Sequence, residues 1–375
     1  MRLHRWMALA GAGAAAIAGA GLAAPVALAQ PHNSHPSFIG RFHHTRLVGS
    51  TVPRNGDINP YGVAVVRRSQ GRLHRGDILV SNFNNKANLQ GTGTTIVQLS
   101  PRGHRTLFAR ISPAGLPGAC PGGIGLTTAL VIVHGWVIVG SLPSADGSAA
   151  TSAAGCLLVL DSRGRVRETI HGHGINGPWD MTAVGGGRFA MLFVTNVLNG
   201  TAAAKGAVVH RGTVLRLILT FSQHGMPRLR AVTRIGSGFS EQADPAAFVL
   251  GPTGLGLRHN GALYVADTRE NRITVIPNAL FRRSSAGTGR VLTSGGALNA
   301  PLGLAIAPNG DVLTVNGANG KIVETSPAGD QIATRFLGRS GSPPGSGALF
   351  GLAVAPAGRG VYYVDDAANT LRILN

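Results

Sequence analysis

The chain has 375 residues, 44% of them hydrophobic and only 13% charged, with 55 glycines. That is enough apolar content for a large core, and so many glycines with so few charges argue against surface helices and for short strands joined by tight turns. The formal charge is +19, almost all of it arginine, because Lys86, Lys205 and Lys321 are the only lysines.

Residues 1–29 read as a signal peptide rather than as fold. Arg2 and Arg5 form a basic start, Trp6 to Ala29 carries no charge, and Ala27-Leu28-Ala29 makes a small-x-small cleavage site before Gln30. The apolar run is also long enough to span a membrane, but Pro25 and the Ala-x-Ala ending favour cleavage after Ala29. No cysteine stands at the cleavage point and no adjacent arginine pair precedes it, which argues against a lipoprotein and a twin-arginine route. The expectation is a periplasmic or secreted protein with a flexible segment over 30–41 and a single domain over 42–375. Outside the cytoplasm a basic chain meets lipid headgroups, acidic polysaccharide or acidic proteins rather than nucleic acid. Arginine-rich composition also follows from a GC-rich genome, so the charge alone does not choose among them. Cys120 and Cys156 are the only cysteines, and export makes a disulfide between them the default.

A repeat organises the rest. Pro252-Thr253-Gly254-Leu255-Gly256-Leu257 returns as Pro301-Leu302-Gly303-Leu304-Ala305-Ile306 and again as Leu349-Phe350-Gly351-Leu352-Ala353-Val354. Each copy is followed by a Gly-containing turn, an apolar strand ending in Asp or Asn, a polar turn and another strand. Asn59-Pro60-Tyr61-Gly62, Cys120-Pro121-Gly122-Gly123 and Gly177-Pro178-Trp179-Asp180 open three earlier units with longer insertions. Six units of near 50 residues, each too small to bury both faces alone, imply an all-β six-bladed β-propeller. The last unit ends after three strands, and an orphan strand near Phe42 to Ser50 precedes the first. That N-terminal strand is expected to complete the last blade and close the ring.

Tyr264-Val265-Ala266-Asp267-Thr268 followed by Asn271-Arg272-Ile273, with Pro252-x-Gly254-Leu255 before it, resembles the NHL repeat signature. The likeness is specific in units four to six and weaker in the first three. It implies a six-bladed binding platform; related six-bladed folds include gluconolactonase-like, strictosidine-synthase-like and amidating-lyase enzymes.

In such a blade, one face collects the unit openings and the connections from second to third strands. The insertions Asn82 to Thr94, Ser141 to Gly155 and Asn196 to Gly212 fall there, which makes it the expected binding face. Cys120 and Cys156 sit on it. At the channel mouth, Tyr61, Trp179 and Phe350 read either as a stacking platform for a flat ligand or as packing between blades. Asp180 departs from the glycine found at the same place in other units, with His171 and His173 on the same face. The residues ending second strands, Asn82 and Asn196 among them, read as turn caps, with metal ligation of a subset by Asn82, Asn196 and Asp180 as the other reading. Arginines after third strands, such as Arg102, Arg163, Arg228, Arg282 and Arg283, form a rim on the opposite face open to an anionic envelope surface.

The primary expectation is therefore a non-enzymatic, monomeric platform for a protein, glycan or small ligand on the loop-bearing face. The alternative is a divalent-metal (calcium or zinc) hydrolase or lyase, lactonase-like, centred near Asp180. Nucleophilic catalysis has no motif in its favour: the chain lacks a His-Glu-x-x-His helix and a Gly-x-Ser-x-Gly elbow.

Overall fold

A computed structural model describes residues 35–222, 225–338 and 341–375. The expected signal peptide and the start of the 30–41 segment lie outside these residues. The strand β1 (Thr45–Ser50) leads into six four-stranded units. Blade one is β2 (Ile58–Val65), β3 (Ile78–Asn84), β4 (Thr95–Leu99) and β5 (Arg105–Arg110); blade two is β6 (Leu126–Val133), β7 (Trp136–Ser141), β8 (Cys156–Leu160) and β9 (Val166–Ile170). Blade three is β10 (Gly177–Gly186), β11 (Phe189–Val197), β12 (Val209–Thr220) and β13 (Arg228–Asp244), extended by a fifth strand, β14 (Phe248–Leu250). Blade four is β15 (Pro252–Leu257), β16 (Leu263–Asp267), β17 (Arg272–Ile276) and β18 (Arg290–Ser294); blade five is β19 (Pro301–Ile306), β20 (Val312–Asn316), β21 (Lys321–Thr325) and β22 (Gln331–Phe336). Blade six is β23 (Leu349–Val354), β24 (Val361–Asp365) and β25 (Thr370–Leu374), and its outermost strand is β1, paired antiparallel to β25. The innermost strands touch in order around the ring, including β23 with β2, so the ring closes as the orphan strand required.

Two local devices make the innermost strands fit. Each carries a register shift at the opening motif, between Pro60 and Val63, Leu126 and Leu130, Pro178 and Met181, Pro252 and Leu255, Pro301 and Leu304, and Leu349 and Leu352. Such bulges bend a strand and sharpen its twist. At Gly254, Gly303 and Gly351 a Cβ would collide with the backbone of the next blade: the carbonyls of Leu302, Phe350 and Tyr61 respectively. The repeated glycine thus exists for close approach between blades. Hydroxyls bridge adjacent blades as well. Gly62 N–H donates to Ser81 Oγ (3.0 Å), which donates to Thr127 O (2.7 Å); Asp180 N–H donates to Thr195 Oγ1 (2.9 Å), which donates to Thr253 O (2.8 Å).

Three sequence readings need correction. The second blade opens at Leu126, not in the 120–125 segment: Leu126 pairs with Ser141 as Pro60 pairs with Asn82, so the channel position is Thr127 rather than Gly122. The stretch between Gly236 and Gly251, which the unit spacing makes an inter-blade connection on the loop-bearing face, is mostly the end of β13 and the hairpin to β14. Residues 36–41, read as flexible, are docked. Glu324 accepts the N–H groups of Phe38 (2.6 Å) and Ile39 (2.9 Å), and Phe38, Ile39 and Phe42 are buried in the seam between blades five and six. The sequence signal was there in the Phe38-Ile39 pair, an apolar stretch too good to leave in water.

Candidate functional site

The six innermost strands surround an axial channel, and its loop-face end is filled. Tyr61, Trp179, Leu302 and Phe350 from blade openings, with Phe83 and Phe248, form one buried cluster. Tyr61 is the hub: its ring centroid lies 4.0 Å from Phe350, 4.7 Å from Phe83 and 5.7 Å from Trp179. Phe83 meets Phe248 edge-on at 5.5 Å. Phe248 sits at the start of β14 with φ +66°, a backbone region costly for a large side chain, and its ring is fully buried. The hairpin therefore reaches across the channel from blade three and inserts a ring. Tyr61 and Trp179 are 2% exposed and Phe350 is 6% exposed, so these rings pack against one another as a plug.

Below the plug the channel is a cavity of about 1410 Å³ that opens on the opposite face, among the turns joining first to second strands. Asp180 lies in this cavity, not at the loop-face mouth. Its Oδ2 accepts the N–H of Leu255 at 3.0 Å, from blade three to blade four. Burial pushes its pKa up to about 7, although the N–H groups of Met181 and Leu255 pull it down. No other carboxylate lines the cavity among the described residues.

Above the plug, on the loop face, is a second cavity of about 580 Å³. Tyr61, Leu302 and Phe350 lend it an apolar floor, and Asn59, Asn84, Asn88, Asn369 and Asp366 line its wall beside Pro245 to Ala247 of the blade-three hairpin. The backbone N–H of Asn59 donates to Asn369 Oδ1 at 2.7 Å, holding Asn59 at φ +61°. With its amide turned to satisfy both neighbours, Asn59 donates to Asp366 Oδ1 and accepts from Asn84 Nδ2 at 3.0 Å. Asn84 Nδ2 also donates to Asn88 Oδ1 at 2.7 Å. Burial, and then the charge of Asp365, push the pKa of Asp366 up to about 8. Burial thus favours the uncharged carboxyl, which can donate a hydrogen bond, while the Asn59 amide that donates to it works the other way. Burial likewise drives the Tyr61 phenol well above its ordinary pKa, with Asp366 adding to the effect.

The other sequence candidates lie outside this cavity. Asn82 Nδ2 donates to Thr51 O and Thr95 Oγ1; Asn196 Oδ1 accepts the N–H groups of Asn176 (2.6 Å) and Gly177 (3.0 Å). Both are fully buried turn and inter-blade clamps. His171 and His173 are exposed on the connection after β9 and do not approach Asp180 or Asp366 as lining of either cavity. Cys120 and Cys156 form the expected disulfide, pinning the segment before β6 to the start of β8. Asn59, Asn84, Asn88, Asn369 and Asp366 were missed. Their signals were the Asn59-Pro60 opening, the asparagine-rich 82–88 stretch and the Asp365-Asp366 pair, which occurs at the end of a second strand in no other blade.

Ring, channel and closure define a six-bladed β-propeller. The chain matches no family model and no curated sequence. Its fold is similar to solved six-bladed structures: a calcium-binding protein, regucalcin, from Agrobacterium tumefaciens (TM-score 0.53, 12% identity, 88% of this chain and 94% of that one); a gluconolactonase from Xanthomonas campestris (0.51, 13%, 84% and 86%); and a luciferin-regenerating enzyme (0.51, 11%, 87% and 94%). At these identities the likeness is one of fold.

Proposed function

We propose that this propeller acts as a hydrolase or lyase on a small, neutral, oxygen-rich molecule of the sugar-lactone or cyclic-ester class, bound in the loop-face cavity. The observation that carries it is Asp366: a carboxyl held near neutral by burial, facing a cavity of about 580 Å³ with an apolar floor and an asparagine wall. That volume suits a small molecule. The floor of Tyr61, Leu302 and Phe350 suits the apolar face of a ring, and the amides of Asn84 and Asn88 suit its hydroxyls. A neutral carboxyl can donate to an ester carbonyl or protonate a leaving oxygen, and a group titrating near the working pH does so efficiently. The gluconolactonase among the similar folds supports the substrate class.

For the calcium of the Agrobacterium protein, the loop-face cavity offers one carboxyl and the amide oxygens of its asparagines. Among the described residues no three His, Cys, Asp or Glu side chains gather, and in the loop-face cavity Asp366 is matched by the Asn59 amide while burial favours its uncharged form. A hard cation wants several ionised or carbonyl oxygens converging on one point, so the chemistry above is derived from the chain's own groups. A second reading, a platform without turnover, is favoured by one observation: among the described residues, Asp366 and Tyr61 are the only titratable groups lining the cavity. The NHL-like signature of units four to six also supports it.

The test is a panel of five- and six-membered sugar lactones and simple cyclic esters, assayed for hydrolysis at pH 6 to 9 and for binding by calorimetry. Turnover that is lost in Asp366→Asn supports the enzyme; binding without turnover supports the platform; neither, across the panel, overturns the substrate class.

A further inference from the structure

The two faces of the ring differ in charge. On the loop face both signs are exposed: Asp146 and Glu270 stand among Arg54, Lys86, Arg110, Lys205 and Arg211. On the opposite face, where the channel opens, the turns between first and second strands carry Arg67 and Arg75 in blade one, Arg188 in blade three, Arg258 in blade four and Arg359 in blade six. The carboxylates in those turns are taken inward: Asp77 accepts from Gln98 Nε2 at 3.1 Å, and Asp311 is fully buried and accepts from Asn309 Nδ2 at 2.7 Å. Among the described residues, Asp330 of blade five is the only exposed carboxylate in any turn of this face.

Two further observations point the same way. Phe189, next to Arg188, is 49% exposed, and Phe281, next to Arg282, is 70% exposed. Both lie on this face, at the first position of β11 and in the connection between β17 and β18. Water is a poor solvent for such rings, while a headgroup layer takes an aromatic body beside a cation. The polypeptide also leaves the propeller here. Pro36 O accepts from Asn309 Nδ2 (3.1 Å) in the first-to-second strand turn of blade five, and Arg41 Nη2 donates to Gly358 O (2.6 Å) in that of blade six.

We propose that this arginine face docks on an anionic phospholipid bilayer, leaving the loop-face cavity turned to solvent. Charge complementarity supplies long-range attraction, and the two phenylalanines supply insertion and set the face that docks. The proposal stands independently of what the loop-face cavity binds.

The ring is complete within Pro36–Asn375, so the chain beginning at Gln30 is a fair test protein alongside the full chain. Co-sedimentation is measured with vesicles of phosphatidylglycerol and phosphatidylcholine mixed, and with phosphatidylcholine alone. Binding is expected to the anionic vesicles only, and to be released as salt shortens the Debye length to about 3–5 Å. Replacing Arg67, Arg75, Arg188 and Arg258 by Gln weakens the partition by about fivefold per arginine. Phe189→Ser with Phe281→Ser weakens it further, and Lys86→Gln with Lys205→Gln on the other face leaves it unchanged. Circular dichroism checks that each variant is folded. No binding to anionic vesicles at low salt, equal binding to both vesicle types, or loss in the loop-face variant as large as in the arginine variant would overturn the proposal. So would tighter arginine-dependent binding to a soluble acidic polysaccharide than to vesicles.

Discussion

Asp180 Oδ2 accepts the backbone N–H of Leu255 at 3.0 Å, so a side chain from blade three ties down the innermost strand of blade four. Elsewhere the same junctions are made by glycine and direct backbone approach, as at Gly254, Gly303 and Gly351. Asp180 thus reads as a rivet. Asp180→Ala leaves the Leu255 N–H without its partner and is expected to destabilise by about 1–3 kcal/mol. Asp180→Asn keeps an acceptor and is expected to lose well under half of that. Urea denaturation of the three proteins checks the order.

Gly303→Ala tests the close-approach argument. The obstructing atom is the Phe350 carbonyl, which is backbone and cannot swing aside. Overpacking of this kind is expected to cost about 1–3 kcal/mol or more, with loss of cooperativity if the ring opens. A melting curve as sharp as that of the parent, at an unchanged temperature, would remove the glycine from the account of the fold.

Stability should fall as pH rises from about 4 to 8. Burial raises the pKa of Asp366 to about 8, of Asp180 and Glu241 to about 7, and of Asp267 to about 6. Each group has its ordinary pKa near 4 when unfolded, so over this window the native state holds more protons than the unfolded chain. The favourable contribution is complete below the unfolded pKa and is lost as pH passes up to the native one. Within its own window each group contributes to the fall in the same direction. Asp366→Asn is expected to flatten the slope up to about pH 8 by close to one proton. Chemical denaturation at half-unit pH steps gives that slope directly.

The Cys120–Cys156 disulfide closes a loop of sequence separation 36. Chain entropy puts its contribution at about 3–4 kcal/mol. Cys120→Ser with Cys156→Ser should therefore lower the denaturation midpoint without changing the β content seen by circular dichroism. Cys156 is fully buried, so reduction by added thiol should be slow in the native state.

The architecture was legible because it repeats. The Pro252, Pro301 and Leu349 openings announce three blades, and the missing strand after Leu374 announces closure by β1. Register was less legible where insertions intervene. The Cys120-Pro121-Gly122 segment imitates an opening, but Ser141 pairs with Leu126, and only pairing could say so. The loop-bearing face was legible from its long connections, yet which of its residues line a cavity was not. Tyr61, Trp179 and Phe350 lie on different blades, and whether such rings face a ligand or one another is set by how the six strands converge. Asp366 acquires its character from burial against Asp365 and Asn59, groups far apart in the chain or unremarkable in it.

The most direct test of the functional account compares Asp366→Asn with Asp180→Asn for binding and turnover of the best substrate in the lactone panel. The two carboxyls lie on opposite sides of the aromatic plug, one in each cavity. The account predicts that turnover falls by about 10²-fold or more in Asp366→Asn and stays within about twofold in Asp180→Asn. Activity that survives in the first variant and disappears in the second would place the chemistry in the open channel and contradict the loop-face assignment.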